Sequence, residues 1–313
     1  MKLRNKLILS CAALAAVATT AFSTTFAWYT ANDTVKATGI TGQTSQTDST
    51  LLLISKYGKV GSWGAAVEID SSAVTLEPVA YNATDDAYYP WVANDNDVDD
   101  TAVTGGLTSS DKYISFYLYF KSGSSSSLDV QIQSFTLTNT DAAALPTFSV
   151  LADGTGVTDA SYSVNMFRAL DVAITVEQGT EVARSADSPE VTAAGTRTAY
   201  NCDSLATGDN IAVASANAHT YYNNVKSLTG ADAIDTTTVA SETTYTDIAT
   251  LNSGTFTFAT PTGAGAQAAD GDLDSILMVK FDIYLDGWDK MCFDAVRKQH
   301  FTLAMEFQGS THA

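Results

Sequence analysis

One acidic loop carries the clearest pattern of possible metal ligands in the chain. Asp95, Asp97 and Asp99 occupy alternate positions, which is the spacing at which calcium loops place oxygen ligands. The run lacks the glycine that such loops carry at the sixth position, and at the twelfth it has Gly106 where an acidic residue is required. The pattern therefore leaves two interpretations, a calcium site or a solvated acidic loop. Calcium is the only cofactor that the sequence suggests.

Aromatic residues precede this loop. Tyr88, Tyr89 and Trp91 lie close together in the sequence, and aromatic faces of this kind can stack on sugar rings because they offer apolar area with a polar edge. The same three residues could instead cover one end of the hydrophobic core. Glycan stacking and a core lid are both open at this point.

Catalytic patterns are missing from the sequence. The histidines are His219, His300 and His312, and no H-E-x-x-H pair is present to bind zinc. No G-x-S-x-G elbow occurs among the many serines, which suit turns and solubility. The sequence therefore predicts a protein that is not an enzyme.

The first 27 residues have the organisation of an export signal. Lys2, Arg4 and Lys6 form a basic region, an apolar run covers Leu7–Phe22, and small residues end the segment at Ala27. A retained membrane anchor is the alternative, but the uninterrupted apolar part is shorter than the ~20 residues that a span needs. We expect a signal peptidase to cleave after Ala27, leaving a secreted or cell-surface protein with no retained membrane span.

Charge and cysteine content agree with export. Without the basic residues of the signal, the chain keeps 13 basic against 35 acidic residues, a net charge of −22 that disfavours nucleic acid as a partner. Cys11 leaves with the signal, so Cys202 and Cys292 remain. Outside the cell they could form a disulfide, worth roughly 4–5 kcal/mol for so long a loop. Two separate buried thiols are the alternative.

Alternating hydrophobicity predicts an all-β fold. In the run Lys112–Lys121, Ile114, Phe116, Leu118 and Phe120 share one face. The apolar positions of Leu128–Thr138 change phase, which predicts a β-bulge. Many short strands separated by turn residues indicate a β-sandwich or jelly roll. We predict one domain over 28–313, with long loop insertions, of which the main one covers 177–254.

The C-terminal block Ile276–Phe307 has the most regular rhythm. Two alternating strands flank a turn at Asp286 and a short helix near residues 293–297, with basic residues at its C-terminal end. At the other end of the chain, Trp28–Asp48 is polar and rich in threonine. We expect it to be a first strand that pairs with its own sheet or with that of a neighbouring molecule, for which the last strands offer an edge.

Several segments resemble a known family. They are Ala21–Thr30, Leu76–Val79, Phe116–Ser122, Arg168–Ile174 and Ile283–Asp289 followed by Cys292. The first is similar to the signals of Gram-positive proteins processed by the SipW-type peptidase, among them the TasA and camelysin biofilm-matrix proteins. The other segments are similar to blocks of uncharacterised secreted Firmicutes proteins with that signal. The resemblance implies a jelly roll, a matrix or surface location and fibre formation by exchange of an N-terminal strand.

Three functions follow as expectations. The first is an exported structural or adhesive subunit that associates with itself or with other matrix proteins. The second is a monomeric surface module that binds glycans or calcium. The third, implied by the resemblance to camelysin, is a metallopeptidase, which the few histidines disfavour.

Overall fold

The structure of the chain is a computed structural model. It describes residues 36–45, 52–90, 101–123, 128–150, 160–210, 244–253, 257–259, 273–289, 291–292, 296 and 299–311. The predicted signal, with Ala27, lies outside these residues. Within them, no helix is long and apolar enough to cross a membrane.

The described residues form seventeen strands. In chain order they are β1 (Lys36–Ser45), β2 (Leu52–Ser55), β3 (Ala66–Ile69), β4 (Pro78–Asn82), β5 (Ala87–Pro90), β6 (Gly105–Gly106), β7 (Tyr113–Ser122), β8 (Leu128–Asn139), β9 (Thr147–Val150), β10 (Ala160–Ser163), β11 (Leu170–Thr180), β12 (Val191–Ala193), β13 (Arg197–Asn201), β14 (Thr246–Asp247), β15 (Thr257–Ala259), β16 (Ser275–Asp286) and β17 (His300–Thr311). Short 3-10 helices cover Ala142–Ala144, Met166–Arg168, Asp203–Leu205 and Ile248–Ser253.

The smaller of the two large sheets has the order β15, β8, β17, β1, β3. Strands β8 and β17 form its longest antiparallel pair, running from Phe301 opposite Asn139 to Thr311 opposite Leu128. Their side chains alternate as predicted, with every second residue of each strand buried, because one face of the sheet packs on the core.

The larger sheet has ten strands and is built around β16. This strand pairs antiparallel with β11 on one side and with β7 on the other, and its last residues pair parallel with β4. Most of β16 is buried on both faces, which explains why its sequence is apolar with few interruptions.

The two sheets pack face to face around one hydrophobic core. The rings of Phe120 on β7 and Phe307 on β17 lie 4.7 Å apart across the core, and those of Phe135 and Phe281 lie 6.5 Å apart. One cluster of buried side chains joins both inner faces. The predicted all-β sandwich is confirmed.

Three details of the sequence prediction can be compared with the structure. The phase change in β8 is a bulge, because Ser134 pairs with Glu306 while Ile132 pairs with the next residue, Phe307. The two strands of the C-terminal block are not paired with each other, since β16 belongs to the larger sheet and β17 to the smaller one. Of the predicted helix at 293–297, the structure describes only Val296, which has 3-10 conformation.

Part of the predicted insertion at 177–254 belongs to the larger sheet. Strand β13 pairs antiparallel with β11, and it buries Ala199 and Tyr200. Its pattern was weak because only five residues pair and few of them face the core.

Candidate functional site

The N-terminal strand β1 occupies a distinctive place in the smaller sheet. It pairs parallel with β17, with Thr41 opposite Ala304 and Gln43 opposite Glu306. On its other side it pairs antiparallel with β3 through four residue pairs. The predicted first strand is thus present, and in this chain its partner is the chain's own sheet. The last strand, β17, supplies the edge on which the chain's own β1 docks; docking of a neighbour's N-terminal segment there stays a prediction.

Of the side chains of β1 at residues 39–44, few reach the core. Among its residues 39–44, Ile40 is the only hydrophobic side chain, and it is fully buried. Gly42 also faces inward, where a Cβ atom would lie 3.4 Å from Val67 Cγ2 and 3.5 Å from Ile54 Cδ1. The neighbours therefore already fill the space under Gly42. Strand β1 is therefore held in the sheet mainly by the backbone hydrogen bonds that pair it with β17 and β3.

The predicted glycan-stacking residues separate in the structure. Tyr88 is only 3% exposed, and its ring packs against Tyr113 at 4.2 Å and Tyr284 at 5.0 Å between centroids. Its faces are therefore covered by protein, which favours the core-lid interpretation for this residue. Tyr89 is half-buried and donates a hydrogen bond to Asp85 Oδ2 at 3.1 Å. Trp91 and the possible calcium ligands Asp95, Asp97 and Asp99 lie outside the described residues.

An arginine organises the tyrosines around Tyr88. The guanidinium of Arg197 lies 3.5 Å from the ring centre of Tyr81 and donates a hydrogen bond to Tyr88 Oη at 2.9 Å. Burial raises the pKa of Tyr88 well above its usual value and Asp282 adds to the effect, whereas Arg197 opposes it. Tyr88 is therefore a neutral acceptor of this hydrogen bond at ordinary pH. The cluster braces β5 and β13 across the outer face of the larger sheet.

Sequence reasoning missed a second charged cluster, which lies at the other end of that face. Lys121 Nζ lies 2.7 Å from Asp274 Oδ2 and 3.2 Å from Glu181 Oε1. The ammonium also lies 4.8 Å from the ring centre of Trp63, whose indole N–H donates a hydrogen bond to Glu181. These residues are far apart in sequence, so no local pattern could have revealed them. The arrangement is a buried brace with one cation and two carboxylates.

The predicted disulfide is not formed. Cys202 and Cys292 are both buried, and no disulfide joins them. Burial raises the pKa of the Cys202 thiol well above its usual value, and nearby aspartates, Asp171 first, add to this effect. The thiolate needed for oxidation is therefore strongly disfavoured. Both thiols pack in the hydrophobic core, as in the alternative interpretation.

Metal ligands do not converge in the described part of the chain. No group of three or more His, Cys, Asp or Glu side chains there could hold a metal ion. Of the histidines, His300 is described, and its Nδ1 lies 3.0 Å from Asp141 Oδ2, where the pair ties the start of β17 to the end of β8. His219 and His312 lie outside the described residues.

Comparisons with known proteins return nothing. No family model, no curated protein and no solved structure matches this chain.

Proposed function

We propose that the chain is an exported structural subunit of the cell surface or extracellular matrix, and that it assembles by exchanging β1 between molecules. The observation that carries the proposal is the position of β1, which is held against β17 mainly by backbone hydrogen bonds. Backbone ladders of this kind are the basis of recognition by strand addition. The same register could join β1 of one subunit to β17 of the next.

The side chains of β1 anchor it only weakly in its own sheet, so that its release costs little. Burying Ile40 contributes about 1.5–3 kcal/mol, whereas β17 buries four large side chains, Phe301, Leu303, Met305 and Phe307. If β1 left, β17 would stay attached through its long pairing with β8. The acceptor edge would therefore remain in place while β1 was absent.

The charge of the protein makes assembly sensitive to salt. Each mature subunit would carry a net charge of −22, so subunits repel one another at low ionic strength. At about 0.15 M salt the screening length falls to about 8 Å. We therefore expect assembly to increase with ionic strength.

Mixed cross-linking of mature chains tests the exchange directly. One chain carries Thr41→Cys and the other Ala304→Cys, at positions that are paired in β1 and β17. Because each chain has one new cysteine, docking of β1 of one molecule on β17 of the other brings the two cysteines into register and favours a disulfide-linked dimer of the two variants. We expect this dimer to increase with chain concentration, and filaments to be visible by negative-stain microscopy.

A matched variant separates exchange from random collision. Gln131 lies on β8 in the same sheet, two strands away from β1, so Gln131→Cys should not cross-link with Thr41→Cys. A chain with both Thr41→Cys and Ala304→Cys should close internally and confirm the register. If that double variant closes while the mixed pair stays monomeric at high concentration, exchange is excluded.

A further inference from the structure

The outer face of the smaller sheet holds a groove that crosses four strands. Two rows of paired residues define it: Ala304, Thr41 and Glu68 lie side by side in one row, and Ser134, Glu306, Gln43 and Ala66 lie side by side in the next. The small side chains of Ala304 and Ala66 create the depression, and the groove has a volume of about 430 Å³. This volume lies within the range of small-molecule sites, about 300–1,000 Å³.

The lining of this groove is rich in hydrogen-bond acceptors. Glu68 and Glu306 contribute carboxylates, Gln43 contributes an amide, and Thr41 and Ser134 contribute hydroxyls, while no lysine, arginine or histidine is among the described residues that line it. Neither carboxylate forms an ion pair with a described residue. Such a lining suits a ligand with many donors and repels an anion.

The rest of the groove suits the carbon skeleton of a sugar. Ala66 and Ala304 provide apolar area between the polar groups, and sugar rings present C–H groups between their hydroxyls. Two carboxylates supply at most four of the six to eight oxygen ligands that calcium prefers, and no third acidic side chain, histidine or cysteine of the described residues completes a metal-binding group with them. We propose that this groove is a binding site for a neutral oligosaccharide, with Gln43 and Glu306 accepting hydrogen bonds from its hydroxyls.

Strand β1 forms the middle of the floor, through Thr41 and Gln43. The site therefore requires β1 to be docked, and a bound saccharide would stabilise the docked strand by mass action. The proposal goes beyond the proposed function and does not depend on it, because the chain's own β1 completes the groove. In an exchanged assembly, the same site would be shared by two subunits.

Calorimetric titration of the mature chain tests the proposal. The probes are chitotriose, cellotriose and maltotriose, with trigalacturonic acid as an anionic comparator and calcium chloride as a separate titrant. We expect at least one neutral trisaccharide to bind and the anionic one to bind more weakly. Gln43→Ala and Glu306→Gln should each lower the association constant, the latter by about tenfold, because a charged acceptor is lost.

Two further variants decide whether the groove itself is the site. Ala304→Leu fills the groove at an exposed position and should abolish binding, while Gln131→Ala, on the same sheet outside the groove, should leave it unchanged. Circular dichroism confirms that the variants are folded. The proposal is overturned if no neutral trisaccharide binds, if binding survives Ala304→Leu, or if only calcium produces heat.

Discussion

Replacing Lys121 with methionine should strongly destabilise the protein. The side chains of Lys121, Glu181 and Asp274 are 11%, 4% and 9% exposed, so the variant would leave two buried carboxylates without their cation. Removing one partner of a buried ion pair costs about 3–5 kcal/mol. Natural domains have a free energy of unfolding of about 5–15 kcal/mol. This one change should therefore remove a large share of the total stability.

Urea unfolding, followed by circular dichroism, measures the loss. The control is Lys112→Met, because Lys112 also forms a short ion pair, 2.8 Å from Glu77 Oε1, but the two side chains are 38% and 41% exposed. Exposed pairs contribute at most about 1 kcal/mol. Equal small losses in the two variants would refute the reasoning.

Three further results are expected. Burial, with a contribution from Glu177, raises the pKa of Tyr119 from 10.0 to about 12. The stability that this residue contributes is therefore present below pH 10 and is lost between about pH 10 and 12. Tyr119→Phe should reduce this loss of stability, as unfolding curves measured at alkaline pH would show. Gln299→Leu removes a buried acceptor for Asn139 Nδ2, at 2.7 Å, and should cost about 3 kcal/mol in urea unfolding. Cys202 and Cys292 should resist iodoacetamide at pH 8 in the folded protein and react only after unfolding, as mass spectrometry would show; two cysteines that stay unmodified in urea would mean that they are bridged.

Local alternation predicted the parts of the fold in which one strand face is buried. In β8 and β17, inward and outward residues alternate along the whole strand, and a one-residue slip would reverse every side chain. For that reason even the bulge near Ser134 was visible as a phase change. Strand β13 was missed because two buried residues, Ala199 and Tyr200, make too short a pattern.

Long-range pairing could not be predicted in the same way. The C-terminal block contains two good strands, but alternation does not say whether neighbouring strands share a sheet, and β16 and β17 lie in opposite ones. The burial of the Tyr88 ring depends on contacts with Arg197 and Tyr284, which are more than a hundred residues away in the chain. An aromatic residue beside an acidic loop can be a ligand platform or a core residue, and only the tertiary contacts decide.

The position of β1 also limits how the proposed assembly could work. A neighbour's β1 would make the same ladder to β17 and bury the same Ile40 as the chain's own strand, so these contacts do not favour one molecule over another. The chain's own strand has the advantage of an effective concentration of about the mM order. Exchange therefore requires a high chain concentration, or additional contacts between subunits. The yield of the mixed cross-link should accordingly rise steeply with concentration, whereas the internal cross-link of the double variant should not change.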